Sequence, residues 1–161
     1  MYNLKKILYK VLGSDKLRFT GIYFPIMKNV SLSHIALIDD DSEEKDIFQF
    51  ALQDLGIAFE FHYFSDPKDF LLFYDDQIIP KIAFIDLHMP LYENLDMLLG
   101  IKKDIRFQDM EIVLYTSGIT SVERKNIAAL GFYDVVIKPN DFEEMKSILS
   151  KVIDTKVFPL Q

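Results

Sequence analysis

The sequence IAFIDLHMP at residues 82–90 places an aspartate directly after four consecutive apolar residues and before a Met-Pro pair. An unbroken apolar run of this length is typical of a strand buried on both faces of a parallel sheet. The aspartate, Asp86, therefore stands at the carboxyl end of the predicted strand. In an open parallel α/β sheet, ligands bind outside the carboxyl ends of the strands. The segment thus indicates a sheet type and a place for a site.

The same strand pattern occurs on both sides of this segment. The other apolar runs are residues 35–38 (IALI), 112–115 (IVLY) and 135–137 (VVI). Residues 59–64 (FEFHYF) are a further strand candidate, rich in aromatic residues and with His62 inside it. A segment of helical period follows each strand, and such alternation predicts βα units around a parallel sheet. We therefore predict an α/β fold with five βα units and a doubly wound, five-stranded parallel sheet.

Polar residues at capping positions predict where the helices begin. Asp41 and Glu44 have the spacing of a capping box, which would place Ile47, Ala51 and Leu55 on the buried face of the first helix. Other start signals are Asp66 before Pro67, Asn94, Thr120 with Glu123, and Asn140 with Glu143.

Composition restricts the class of protein. The chain has 161 residues, half of them hydrophobic, a formal net charge of −7 and no cysteine. Disulfides and thiolate metal sites are therefore excluded, and the acidic balance argues against nucleic acid as a partner. The apolar runs are far shorter than a bilayer span, so we predict no transmembrane helix and expect a cytoplasmic protein. One domain at residues 32–155 is expected, followed by a short tail at 156–161.

Residues 1–31 form a basic extension in this prediction. The first thirty residues carry six lysines and arginines against one aspartate, and apolar residues recur there at helical spacing. A helix docked on the domain and a homodimer contact are both consistent with this pattern. A membrane-surface helix is a third reading, which we do not favour.

Five polar side chains follow the predicted strands directly and are expected to lie at one end of the sheet. They are Asp39 and Asp40 after the first strand, Asp86 after the third, Thr116 after the fourth and Lys138 after the fifth. Three carboxylates held close together repel one another unless a cation lies among them, and oxygen ligands favour Mg²⁺. A hydroxyl and an ammonium beside that ion are suited to hold a phosphoryl group, and a carboxylate there can act as the nucleophile.

Residues 34–153 resemble the receiver domain of bacterial response regulators. The resemblance rests on the acidic pair Asp39-Asp40, on Asp86 followed by Met89-Pro90, on Thr116, and on Lys138-Pro139. It implies the strand order 2-1-3-4-5 and a phosphoacceptor role in a two-component system or phosphorelay.

The resemblance also implies partners and roles. Asp86 would accept a phosphoryl group from a histidine kinase or a histidine phosphotransfer protein. Mg²⁺ would be bound by Asp40, Asp86 and the backbone carbonyl of His88, with Asp39 acting mainly through water. Lys138 and Thr116 would hold the phosphoryl oxygens. The remaining implied features are a modulating role for Ser117 beside Thr116 and a cis bond before Pro139.

Two positions depart from the family pattern. Val135 stands where the family usually has the aromatic residue of its conformational switch, and Asn94 stands where it commonly has glycine. The side chain of His88 is interpreted as a solvent-facing loop group, with modulation of phosphoryl lifetime as a second reading. His34 and His62 are assigned no role.

Two other classes of function compete with the phosphoacceptor interpretation. One is a magnesium-dependent phosphohydrolase of the haloacid-dehalogenase type, which also uses an aspartate at a strand end. That family has its nucleophile at the first strand and a cap insertion, and neither feature is visible here. The other is a pseudo-receiver that acts as an interaction module. We therefore predict a signalling domain and not a turnover enzyme.

Overall fold

Five parallel strands form one sheet, and helices cover both of its faces. The structure, a computed structural model, describes residues 33–56, 59–74, 78–89, 94–132 and 134–156. The strands are β1 (Ser33–Ile38), β2 (Phe59–Phe64), β3 (Ile82–Ile85), β4 (Glu111–Thr116) and β5 (Val135–Ile137). The helices are α1 (Ser42–Asp54), α2 (Pro67–Phe73), α3 (Asn94–Lys103), α4 (Ser121–Ala129) and α5 (Phe142–Lys156), with a 3-10 turn at Ile105–Phe107.

The strand order is β2-β1-β3-β4-β5, and every pairing is parallel. The predicted α/β class and the strand order are confirmed. The chain winds from β1 to β2 in one direction and then from β3 to β5 in the other. This reversal puts the switch point of the topology between β1 and β3, which is where ligands bind in doubly wound sheets.

Alternation along the strands divides the core into two layers, because successive side chains point to opposite faces. One layer lies under α1 and α5 and comprises Ile35, Leu37, Phe48, Ala51, Leu52, Ile82, Phe84, Val113, Tyr115, Met145, Leu149 and Ile153. The other layer comprises Ala36, Ile38, Phe64, Phe70, Tyr74, Ala83, Ile85, Leu87, Met89, Leu98, Ile101, Phe107, Met110, Leu114, Ile127 and Phe132. Strand β3 is fully buried on both faces, as its continuous apolar run predicts.

Two of the predicted helix starts are confirmed in detail. The side chain of Asp66 accepts a hydrogen bond from the amide of Lys68, and Pro67 occupies the first turn of α2. Thr120 and Glu123 form a reciprocal capping box at α4, each side chain bonding the other residue's amide. Both arrangements satisfy amides that have no partner within a helix.

The predicted capping box of α1 is wrong. Asp41 does cap the helix, through a 2.8 Å hydrogen bond from the amide of Glu43, but its own amide donates to Asp39 Oδ1 at 3.0 Å. The carboxylate of Glu44 instead accepts a hydrogen bond from the hydroxyl of Tyr115. A buried phenol needs a partner more than an exposed amide does, so the long-range contact wins.

The predicted buried face of α1 is also shifted by one position. Ile47 is 44% exposed, whereas Phe48, Ala51 and Leu52 are fully buried and Leu55 is half-buried. The ring of Phe48 stacks on Phe61 and meets Phe84 and Tyr115 edge to face, and this packing sets the rotation of the helix.

At α5, the predicted pair of Asn140 and Glu143 is likewise off by one residue. Asp141 accepts a hydrogen bond from the amide of Glu144 at 2.8 Å, and the Glu144 side chain reaches the amide of Asn140 at 3.3 Å. The rotation of α5 about its axis is set by its buried face, which includes Met145.

The predicted boundaries at residues 31 and 155 stay predictions, because residues 1–32 and 157–161 lie outside the described residues. Among the helices of the described ranges, none combines the length and apolar character needed to cross a membrane.

Candidate phosphoacceptor site

Backbone hydrogen bonds continue past the strand ends and hold the polar side chains in place. The amide of Asp86 donates to the carbonyl of Ile38 at 2.9 Å, and the amide of Lys138 donates to that of Thr116 at 2.8 Å. Ile38 pairs with Ile85 at the ends of β1 and β3, so the residues that follow them, Asp39 and Asp86, stand side by side. The carboxyl edge of the sheet is therefore rigid where the candidate residues begin.

The structure brings the three predicted carboxylates together. Oxygen atoms of Asp39, Asp40 and Asp86 lie within 4.8 Å of one another. The ammonium of Lys138 reaches them from β5, at 2.7 Å from Asp39 Oδ2 and 3.2 Å from Asp86 Oδ2. One cation of the protein thus bridges carboxylates that follow two neighbouring strands.

Burial differs strongly among these groups. Asp39 is fully buried, Asp86 is 8% exposed and Asp40 is exposed. Burial raises the pKa of Asp39, and the hydrogen bond from Lys138 offsets only part of that rise. Burial alone would lower the pKa of Lys138, but its contacts with Asp39 and Asp86 outweigh burial and leave the pKa raised. Lys138 is therefore held in its charged form at the centre of the acidic cluster.

The hydroxyl of Thr116 is buried and already has partners on either side. It lies 2.8 Å from His88 Nδ1 and donates to the carbonyl of Gly118 at 3.0 Å. The other ring nitrogen of His88 lies 3.6 Å from Glu123, the residue that caps α4. A polar chain therefore runs from the candidate site to the first turn of α4.

His88 is exposed, as predicted, but its ring is not free in solvent because it contacts both Thr116 and Glu123. Its amide also donates to Asp86 Oδ1 at 3.0 Å. The position two residues after Asp86 was the only sequence signal for this arrangement.

Tyr115 is a residue of the site that the sequence analysis missed. Its hydroxyl donates to Glu44 at 2.5 Å, and Lys138 Nζ lies 5.5 Å from the centre of its ring. The ring face attracts the ammonium, and its hydroxyl fixes the ring. In the sequence, Tyr115 is only the last residue of an apolar run before Thr116, so no local signal separates it from a core residue.

The remaining predicted residues have mixed outcomes. Ser117 is exposed beside the site, and Val135 is half-buried and packs against the core, so no aromatic ring occupies that position. The predicted cis bond before Pro139 is wrong, because the described residues contain no cis peptide. The trans form is the intrinsically favoured isomer, and Lys138 reaches both carboxylates with it. The side chain of Asn94 lies outside the described residues.

Solved structures of known proteins share this architecture. The phosphorylated cyanobacterial phytochrome response regulator RcpA superposes with a TM-score of 0.72 at 16% identity, over 81% of this chain and 98% of RcpA. The Mn²⁺-bound response regulator Rcp1 superposes with a TM-score of 0.68 at 16% identity, over 80% of this chain and 97% of Rcp1. The chain has the receiver fold of response regulators.

The similarity of this chain to known sequences is low. The chain is 21% identical over 123 residues to the probable methanogenesis regulatory protein FilR2 of Methanothrix harundinacea. This alignment covers 73% of this chain and 79% of FilR2. It is 23% identical over 127 residues to the sensor histidine kinase CheAY of Helicobacter pylori. That alignment covers 78% of this chain but only 16% of CheAY. No protein-family model matches the sequence.

Proposed function

We propose that this receiver domain is a phosphoacceptor of a two-component system or phosphorelay, and that Asp86 takes the phosphoryl group. The observation that carries the proposal is the bridge from Lys138 to Asp39 and Asp86 at 2.7 and 3.2 Å. The ammonium joins carboxylates that follow two different strands, at the end of the sheet where ligands bind.

The donor atoms of the cluster fit Mg²⁺. All are carboxylate oxygens, which hard cations prefer, and three formal negative charges face the single ammonium of Lys138. Asp40, Asp86 and the carbonyl of His88 would hold the ion, with Asp39 acting through water. When bound, the ion supplies positive charge that neutralises the oxygens of an incoming phosphoryl group.

In the proposed transfer, a carboxylate oxygen of Asp86 forms a bond to phosphorus as the phosphorus–nitrogen bond of a phosphohistidine breaks. The imidazole of the donor keeps the electron pair of that bond and takes up a proton. The ammonium of Lys138 stabilises the charge on the phosphoryl oxygens, because it is already fixed beside Asp86. The donor would be a histidine kinase or a phosphotransfer protein.

The hydroxyl of Thr116 supports a signalling role through the polar chain to α4. To bond a phosphoryl oxygen, this hydroxyl must give up its hydrogen bond to Gly118 or its contact with His88. Release of His88 would also change its contact with Glu123 at the start of α4. The chain from Thr116 through His88 to Glu123 would take the role of the aromatic switch residue, which Val135 replaces here. Its rearrangement would shift the population of two arrangements of α4.

The test is intact-protein mass spectrometry after incubation with phosphoramidate and MgCl₂. We expect the mass of one added phosphoryl group, lost when EDTA replaces MgCl₂ and absent in Asp86→Asn. Asp109→Asn, which alters an exposed aspartate outside the site, is the matched control and should label like the wild type. Equal labelling of Asp86→Asn, or none of the wild type, would contradict the proposal.

A further inference from the structure

Two histidines and a glutamate meet near the amino-terminal ends of β1 and β2, whereas the acidic cluster lies at the carboxyl ends of the strands. In the register of β1 and β2, His34 pairs with Glu60 and Ala36 pairs with His62. Side chains two residues apart on a strand share one face, so His34, Glu60 and His62 all lie on the α2 side of the sheet. His34 lies five residues before Asp39, which separates the two sites by about 17 Å along β1.

One donor atom from each of His34, Glu60 and His62 lies within 4.8 Å of the other two, which is close enough for all three to reach one ion. His34 Nδ1 and His62 Nε2 are 3.0 Å apart, and His62 Nε2 is 3.6 Å from Glu60 Oε1. His34 Nε2 is 3.9 Å from Glu60 Oε2. Two ligands at about 2.1 Å from a tetrahedral ion lie about 3.4 Å apart. His34 contacts His62 and Glu60 through different ring nitrogens, so side-chain rotation must bring one nitrogen of each ring and one oxygen of Glu60 to the ion.

Burial of the rings makes the arrangement more than a chance surface cluster. The side chains of His34 and His62 are 14% and 13% exposed, and the His62 ring packs against Phe73 and Tyr74. Glu60 is 55% exposed, which leaves an open path for an ion.

A second observation comes from Tyr74, whose ring contacts His62. Its hydroxyl is buried, and it has no hydrogen-bond partner within the described part of the chain. The centre of its ring lies 5.9 Å from the centre of the His62 ring. Buried polar groups without a protein partner are rare, and a water or an ion bound nearby is one explanation for such a group.

We propose that His34, Glu60 and His62 form a binding site for a divalent transition-metal ion of the zinc class. Two imidazole nitrogens and one carboxylate oxygen are a common three-ligand set for Zn²⁺, with a fourth position left for water or another ligand. Imidazole selects zinc-class ions over Mg²⁺, which prefers oxygen. The bound ion would cross-link β1 to the edge strand β2, at the end of the sheet away from Asp86.

The test is isothermal titration calorimetry of the tag-free, full-length chain with ZnCl₂ in excess MgCl₂, which keeps the acidic cluster saturated. We expect one zinc ion per chain, with affinity weakened at least tenfold by His62→Gln and by Glu60→Gln. Glu143→Gln alters an exposed glutamate of α5 and should leave the affinity unchanged. Asp86→Asn should also leave it unchanged, because that carboxylate belongs to the other site.

Titration with CoCl₂ adds a spectroscopic readout. Absorption bands of tetrahedral Co²⁺ are expected in the wild type and are expected to disappear in Glu60→Gln. Circular dichroism of the metal-free variants checks folding, and if His62→Gln fails to fold, Glu60→Gln decides because Glu60 is exposed. Zinc affinity that survives Glu60→Gln, or the absence of zinc binding in excess MgCl₂, would overturn the proposal.

Discussion

Two tyrosines are buried on opposite faces of the sheet, and their hydroxyls have different surroundings. Tyr115 donates to Glu44 and lies near Met145 Sδ at 3.3 Å. The hydroxyl of Tyr74 has no such partner within the described residues. A buried hydroxyl without a hydrogen bond loses the free energy of its hydration, whereas one bonded to a carboxylate recovers it. The same residue type therefore contributes differently to stability at these two positions.

We expect Tyr74→Phe to raise the free energy of unfolding by up to about 1 kcal/mol in metal-free buffer, because it removes an unpaired polar atom. Tyr115→Phe should lower it by about 1.5 kcal/mol, because it leaves Glu44 without its donor. Urea unfolding at neutral pH, followed by circular dichroism, measures both. A larger loss for Tyr74→Phe than for Tyr115→Phe would contradict the assignment of hydrogen bonds.

The same tyrosines predict how stability depends on alkaline pH. Burial raises the pKa of both Tyr115 and Tyr74 above the ordinary value of 10.0. The unfolded chain then loses its phenolic protons at lower pH than the folded chain, so it binds fewer protons in this range. The stability that the two phenols contribute is fully present below pH 10, and it is lost as the pH rises from there through their folded-state pKa values. Urea unfolding between about pH 8 and pH 11 tests this, and Tyr115→Phe should flatten the decline.

At the scale of the helix, two glycines have opposite roles. Gly131 follows α4 with φ at +83°, and Lys102 Nζ donates to its carbonyl at 2.7 Å and to that of Leu130 at 2.9 Å. A Cβ on Gly131 would meet that ammonium. Gly100 lies inside α3, is exposed, and a Cβ there would meet nothing within 4 Å.

We expect Gly131→Ala to destabilise the protein by about 1–2 kcal/mol, because alanine is strained at positive φ and would displace Lys102. Gly100→Ala should instead stabilise it by about 0.5–1 kcal/mol, because alanine restricts the unfolded chain and favours the helix. Thermal unfolding of the two variants side by side distinguishes these effects. Similar changes in both would show that the end of α4 does not constrain the fold.

For the whole molecule, the acidic cluster balances function against stability. Lys138 links carboxylates that are 99 and 52 residues away along the chain, so it holds β5 to β1 and β3. The three carboxylates still repel one another, and one ammonium does not neutralise them. A site of this kind lowers stability until a cation binds.

If the proposed function is correct, MgCl₂ raises the free energy of unfolding. The gain is about 2.7 kcal/mol when free Mg²⁺ is a hundredfold above its dissociation constant. Thermal unfolding in MgCl₂, compared with NaCl at matched ionic strength, measures it. The variant Asp40→Asn should lose most of the gain, since it removes an exposed ligand without disturbing the core. An equal gain in this variant would place the ion elsewhere.

Much of the fold was readable from local patterns in the amino-acid sequence. Strands β2, β3 and β5 begin and end where the sequence predicts. For β3 the reason is burial on both faces, which favours an unbroken apolar run. Asp86 and Lys138 follow such runs directly, and parallel pairing brings their side chains to one edge. Local physics was therefore sufficient to predict the sheet and to choose candidate residues at its carboxyl end.

Contacts between distant segments were not readable in this way. The partner of Glu44 is Tyr115, 71 residues away, and the rotation of α1 depends on how Phe48 packs. His34 meets His62 only because β1 and β2 pair in one particular register. Side-chain alternation shows which face a residue occupies but not its neighbour across the sheet. That neighbour depends on strand register and helix rotation, which the packing of the whole core sets.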